Sequence, residues 1–163
     1  MDSVEYLRLL TFKFGLEELM EAKKRIFYQA LREYIHHIPG GNPSSFTLCG
    51  TNCFVVGAGK ERVLIEGGDY PERNSLFLEN LRRFLDDFSS VRIGRVFVTH
   101  AHFDHFGGVF DVLGLLRERG HPEPVVLKHM DGNKFEEEVF KRYPSLTGKV
   151  KHLNHGDTFD VDD

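Results

Sequence analysis

The fold is decided by Thr99-His100-Ala101-His102-Phe103-Asp104-His105-Phe106-Gly107-Gly108, a run that directly follows the apolar Val96-Phe97-Val98. Three histidines and an aspartate fall within six positions. His100 and His102 are two apart, so on an extended chain they point to the same face. Two imidazoles on one face can hold a single ion, with Zn–N distances of about 2.0–2.1 Å. Asp104 and His105 come after the chain has begun to turn, and they can face a second ion beside the first. A water bridging two such ions is a hydroxide nucleophile near neutral pH. Gly107 and Gly108 leave the backbone without Cβ atoms where the loop must fold tightly into the next helix. A chance His-x-His pair is common, and isolated histidines are usually surface or core residues. Four ligand-type residues between an apolar strand and a Gly-Gly helix entry are not common.

The surrounding pattern predicts a mixed α/β (α+β) fold. Thr47–Leu48, Cys53–Val56 and Arg62–Ile65 are short β-branched or aromatic runs, with Gly57-Ala58-Gly59-Lys60 as a hairpin turn between the last two. Residues 74–88 read as a helix, with Leu76, Phe77, Leu81, Phe84, Leu85 and Phe88 on one side. Residues 95–99 form the strand that delivers the histidine run, and residues 106–119 the next helix, stopped by Gly120. A strand over 123–128, a helix over 133–142 and a closing pair of strands, 150–153 and 158–161, follow. Before Gly41, apolar positions from Leu16 to Ile35 recur at helical spacing, with Glu17, Glu18 and Glu21 ahead of Lys23, Lys24 and Arg25, an order that suits the helix dipole. Residues 1–40 are therefore expected to be an amphipathic helical extension ended by Pro39-Gly40-Gly41, with His36 and His37 near its C-terminus. Residues 41–163 are expected to be one domain.

The run from His100 to His105 resembles the His-x-His-x-Asp-His motif of the metallo-β-lactamase superfamily. Upstream, Asn42-Pro43-Ser44-Ser45-Phe46-Thr47-Leu48-Cys49-Gly50-Thr51-Asn52 is similar to the opening strands of the beta-lactamase-like protein 2 branch of the glyoxalase II-type family. The resemblance runs from about Asn42 to the last residue. It implies the first half of an αββα sandwich, a mixed sheet with helices on one face. It implies a zinc centre, with His100 and His102 on one ion, and Asp104 and His105 on the second. It also implies a metal-dependent hydrolase: an endoribonuclease cleaving single-stranded RNA, as the branch's mitochondrial animal member does, or alternatively a glyoxalase II-type thioesterase acting on a small thioester. In either reading Asp104 is also the candidate catalytic residue, accepting a hydrogen bond from the nucleophilic water. Two departures stand out. Glu66-Gly67-Gly68 stands where the family has Asp-Thr-Gly, so Glu66, one methylene longer, needs a shifted backbone to support the same loop. The ligands of the family's second half, a Pro-Gly-His-Thr-type loop, a bridging aspartate and a last histidine, belong after Asp163. His121, His129, His152 and His155 stand in no family ligand position.

These readings set further expectations. With only the first-half ligands, the chain should bind zinc weakly and at fewer than two ions. The uncovered sheet face should drive self-association into a homo-oligomer. A non-catalytic half-domain that acts as a binding or assembly module is the third reading.

Bulk properties exclude several classes. The chain has 163 residues, 40% hydrophobic residues including 15 Phe, 28% charged residues and a net charge of −4, which suits one soluble domain and no generally basic nucleic-acid binder. RNA contact would need a local patch, for which Lys128, Lys134, Lys141, Arg142, Lys149 and Lys151 are the candidates; as a rule such residues form an ordinary solvated face. Cys49 and Cys53, the only two cysteines, lie roughly 13 Å apart if extended, too far to bridge, and read as two mostly buried thiols in a reducing compartment. No run reaches the ~20 apolar residues of a membrane span. The acidic residues near the N-terminus do not match a transit peptide, so the expected location is cytoplasmic, with the mitochondrion as the alternative that the resemblance implies.

Overall fold

The computed structural model describes residues 28–129 and 134–161. Seven strands form one sheet: β1 (Gln29–Arg32), β2 (Ile35–Pro39), β3 (Asn52–Val56), β4 (Glu61–Ile65), β5 (Arg92–Val98), β6 (Val125–His129) and β7 (Val150–Leu153). Their spatial order is their chain order. β1 to β4 pair antiparallel, β4 to β7 parallel. The change has a local cause. Residues 57–60, with Gly57 at φ 133°, close the β3/β4 hairpin, whereas parallel neighbours need a crossover element. Those crossovers are α1 (Pro71–Asp87), α2 (Phe103–Phe106) with α3 (Val109–Glu118), and α4 (Lys134–Arg142) with a 3-10 turn at Pro144–Leu146.

One face of the sheet is the core face. Ile38, Cys53, Val55, Leu64, Val96, Val98 and Val126 pack against Phe77, Leu81, Phe84 and Leu85 of α1, Val112 and Leu116 of α3, and Val139 of α4. Each such side chain contributes about 1.5–3 kcal/mol by leaving water. The opposite face carries the row Phe54, Ile65, Phe97 and Leu127, placed side by side by the strand registers. This face is not simply open. Phe159 packs on Phe97 at a centroid distance of 6.2 Å, and Val63 and Leu127 are buried, while Val125 is 47% exposed.

The helical reading of the N-terminal region is corrected wherever it can be checked. Residues 29–39 are the β1/β2 hairpin, so the sheet begins ahead of residue 41, and His36 and His37 lie on β2 and not at a helix end. Pairing with β3 along the full length of β2 overrides the apolar spacing, which fits either element over so short a run. The helix expected from Leu16 otherwise lies outside the described residues. Thr47–Leu48 makes only an isolated bridge between Ser44 and Leu48. Residues 158–161 form no strand; the turn before them is present, with Asn154 N and Asp157 N donating to Asp157 Oδ2 and Asn154 O. Cys49 and Cys53 are free as expected, but Cys49 is exposed.

His36 shows how the core treats a titratable ring. It is buried against Phe84 and Phe88, each at 5.1 Å, with the Arg62 guanidinium 3.4 Å from Nδ1. Burial, then the Arg62 charge, lowers its pKa below the ordinary 6.5. The unfolded chain then takes up a proton that the folded chain refuses. This contribution to stability is present above pH 6.5 and is lost as pH falls through the window below it. Thermal melts at about pH 7.5 and about pH 5 will show a smaller acid-side loss in His36→Phe than in the unsubstituted chain.

Candidate metal centre

β4 and β5 are parallel neighbours, with Ile65 opposite Phe97. The residues that follow them therefore leave the sheet side by side, at the carboxyl ends where open α/β sheets carry their sites. Glu66 follows β4. Thr99 and His100 follow β5, and the chain then turns at once into α2. His100 and His102 have ring centroids 4.5 Å apart, and His100 and His105 4.2 Å. Asp104 Oδ2 lies 3.2 Å from His105 Nε2. The four residues of the run thus converge at one place. Among the described residues, no group of three or more His, Cys, Asp or Glu side chains stands in a preassembled metal cage. The His100 ring neighbours the other two histidine rings, nearer to His105 than to His102.

The donor set is of the kind that binds a divalent ion: imidazole nitrogens and a carboxylate oxygen are ordinary zinc ligands. Here Asp104 and His105 meet as an ion pair at 3.2 Å. The electrostatics point the same way. Glu66 is 4% exposed and its Oε2 lies 3.2 Å from His105 Nδ1, so two carboxylates face one imidazole. Burial pushes the His105 pKa down, but its contacts with Asp104 and Glu66 outweigh this and raise it to about 9. Burial pushes Asp104 up, but the His105 bond and charge hold it below the ordinary carboxylate value. Burial, then the His105 and His102 charges, lowers His100. The two carboxylates favour positive charge at this place, which His105 supplies.

Glu66 does reach the loop. It sits at φ 69°, a left-handed conformation uncommon outside glycine. Thr99 Oγ1 donates to Glu66 Oε1 at 2.6 Å, and Thr99 Oγ1 lies 2.9 Å from His100 Nδ1. Glu66 N donates to Phe97 O, and Gly67 N to His105 O. The carboxylate thus braces both ends of the histidine run. Thr99, Thr51 and Phe135 were not singled out by sequence reasoning. Thr51 donates to Asp104 Oδ2 at 3.2 Å, and the Phe135 ring stands edge-on to His102 at 5.0 Å. Thr99 adjoins the motif and Thr51 lies in the Asn42–Asn52 block, whereas Phe135, on α4, carried no signal.

The other histidines stand elsewhere. His152 Nε2 lies 2.9 Å from Glu136 Oε1, and His121 Nδ1 accepts from Ile93 N at 3.4 Å. The candidate basic patch is largely neutralised. Lys141 faces Glu137, Arg142 pairs with Glu72 and covers the Tyr70 ring, and Lys149 pairs with Glu123. Lys128 is 0% exposed, 3.4 Å from Glu136 Oε1, and donates to His129 O at 2.7 Å. This pair pins α4, and with it Phe135, beside the site. Glu136→Ala, which takes the carboxylate away from the buried ammonium, will destabilise the chain by about 3 kcal/mol in denaturant titration, and Lys128→Met will cost less.

A strand-delivered cluster of histidines and aspartate on a mixed sheet with helices on one face defines the first half of a metallo-hydrolase sandwich. Residues 32–163 match the sequence profile of the Metallo-beta-lactamase superfamily, and the chain belongs to that family. It is similar to the atrochrysone carboxyl ACP thioesterase of Aspergillus terreus, 33% identical over 77% of the chain and 35% of that protein. It is similar also to the lactamase-like protein ptaB of Pestalotiopsis fici, 41% identical over 55% of the chain and 26% of that protein. In fold it is similar to a beta-lactamase domain protein from Burkholderia ambifaria, with a TM-score of 0.62 at 15% identity, over 83% of the chain and 47% of that structure. The chain spans about a third of the length of the first two curated relatives, 35% and 34%. These relatives do not support the endoribonuclease or glyoxalase II-type branch, and they favour the thioester alternative over RNA.

Proposed function

We propose that this chain carries the first-half ligands of a zinc-dependent hydrolase that cleaves acyl thioesters, of the kind held on an acyl carrier protein. The observation that carries the reading is the convergence of His100, His102, Asp104 and His105 at the carboxyl end of β5. Support for the substrate class comes from relatives named as thioesterases, one from Aspergillus terreus and one from Emericella nidulans. Nothing observed supports the expected RNA substrate or self-association.

In this reading His100 and His102 would hold one zinc, and Asp104 and His105 the other; bound there, zinc would supply Lewis acidity toward the thioester carbonyl and lower the pKa of the nucleophilic water. The protein's own groups do the positioning. His100 is kept neutral, with its lone pair available, by burial and by the neighbouring rings. Asp104, ionised, accepts a hydrogen bond from the attacking water and aims its oxygen at the carbonyl carbon. The C–O bond forms, the C–S bond breaks, and a carboxylic acid and a thiol leave. Glu66 and Thr99 hold the loop still, so that its geometry need not reorganise during the reaction.

The test uses a protein of the relatives' full length, with an acyl carrier protein thioester and a single-stranded RNA as parallel substrates, each with and without chelator. Thioester hydrolysis that the chelator stops, beside intact RNA, is expected. Cleavage of RNA with the thioester left whole restores the ribonuclease reading. Thioester hydrolysis indifferent to chelator overturns the metal.

A further inference from the structure

A buried hydrogen-bonded chain runs from Asp69 through Asn42 and Thr51 to Asp104. Asn42, Thr51 and Asp69 are all nearly inaccessible to solvent. Asn42 Nδ2 donates to Asp69 Oδ2 at 3.0 Å and to Thr51 Oγ1 at 3.1 Å, while Asn42 Oδ1 accepts from Thr51 N at 2.9 Å. These partners settle the amide's orientation. Turned over, it would set its oxygen against the Asp69 carboxylate and its N–H against the Thr51 N–H, repulsive on both sides. Thr51 Oγ1 thus receives a hydrogen bond from Asn42, and its single proton is left to donate. It points at Asp104 Oδ2, 3.2 Å away.

We infer that Thr51 is a positioning residue for Asp104, aimed by Asn42, and that this relay tunes the zinc affinity of the Asp104–His105 pair. The inference rests on the metal reading above. Two side chains contact Asp104 Oδ2, Thr51 and His105. His105 is itself a ligand in that reading. When its Nε2 lone pair goes to an ion, it no longer holds the carboxylate. Thr51 is not a ligand and stays in place. It alone of the two orients Asp104 in both conditions, and its hydroxyl is held by an amide anchored on a buried carboxylate. The Asn42–Asn52 block, which the sequence offered only as a mark of resemblance, thereby acquires a physical role. It carries the outer support of a carboxylate ligand more than fifty residues downstream.

The experiment titrates the chain with zinc alone against a chromophoric chelator and compares Thr51→Ser and Thr51→Val. Loss of an outer-shell partner typically costs 10–100-fold in metal affinity. Thr51→Val, similar in shape but without the donor, is expected to weaken zinc binding by that factor, while Thr51→Ser, which keeps the hydroxyl, stays within about threefold. Melting of all three proteins in excess chelator separates packing from positioning. The affinity loss of Thr51→Val should exceed what its metal-free melting shift explains, and serine should restore it. Equal zinc affinity in Thr51→Val and the unsubstituted chain overturns the inference and leaves the metal reading intact. So does a loss that serine fails to restore. Absence of zinc binding in the unsubstituted chain overturns the metal reading and the inference with it.

Discussion

His100→Ala or Asp104→Ala, in a protein of the relatives' full length, abolishes thioester hydrolysis, with kcat/KM falling by about 10³-fold or more, beyond the 10–100-fold typical of an outer-shell loss. The fold survives. His100 sits just past the end of β5 and is only half-buried, so it contributes little to the core. Asp104 is half-buried too, and its contacts are with Thr51 and His105, not with the apolar interior. Removing either takes away a direct ligand in the proposed centre, and His152 and His121 are engaged elsewhere, at Glu136 and Ile93. Steady-state kinetics and far-UV spectra on the same preparations check this. Persisting hydrolysis in His100→Ala would refute the metal mechanism.

Gly108→Ala destabilises the chain by about 3 kcal/mol, while Gly114→Ala stabilises it by roughly 0.5–1 kcal/mol. A Cβ on Gly108 would come within 2.4 Å of Gly67 O and Asn74 Nδ2 and 2.5 Å of Asp69 O. Two of those atoms are backbone carbonyls of the loop after β4, which cannot swing aside as a side chain would. Gly108 N donates to Gly68 O at 3.0 Å, so the backbones are locked together there. Gly114, inside α3, has nothing within 4 Å of its Cβ position, so alanine gains helix propensity without a clash. For a chain of this size the shift at Gly108 corresponds to roughly 6–12 °C in Tm. Calorimetric melts of the two variants check both signs. Because this contact joins the Glu66 loop to the entry of α3, zinc affinity should fall in Gly108→Ala as well.

The strands β3 to β7 and the three crossover regions were legible because each strand is a β-branched or apolar run set off by turn residues, and each crossover carries an apolar stripe at helical spacing. α1 begins at Pro71, three residues before the helix read from the apolar stripe. The first two strands were not legible. Ala30, Leu31, Tyr34 and Ile35 match helical spacing, yet β2 pairs with β3 residue for residue from Ile35 to Pro39. A partner strand that lies far along the chain leaves no local trace. Residues 158–161 fail in the opposite sense, β-like in composition but without a strand to pair with. Instead Phe159 serves the sheet by laying its ring on Phe97.

The sequence by itself determined which side chains form the candidate centre, since His100, His102, Asp104 and His105 are carried on one short run and need only a strand end and a turn to converge. It also determined the family, because the motif and its setting are local. Glu66 was the one support the sequence offered; the tertiary structure added the rest of what holds that run in place. Asn42 and Thr51 come from the loop before β3, and Glu66 and Asp69 from the loop after β4; they meet the run because β4 and β5 are parallel neighbours and the loop before β3 folds back over their carboxyl ends. Ligand identity is a property of covalent spacing. The orientation of those ligands depends on hydrogen bonds between residues distant in the chain, which exist only once the sheet has formed.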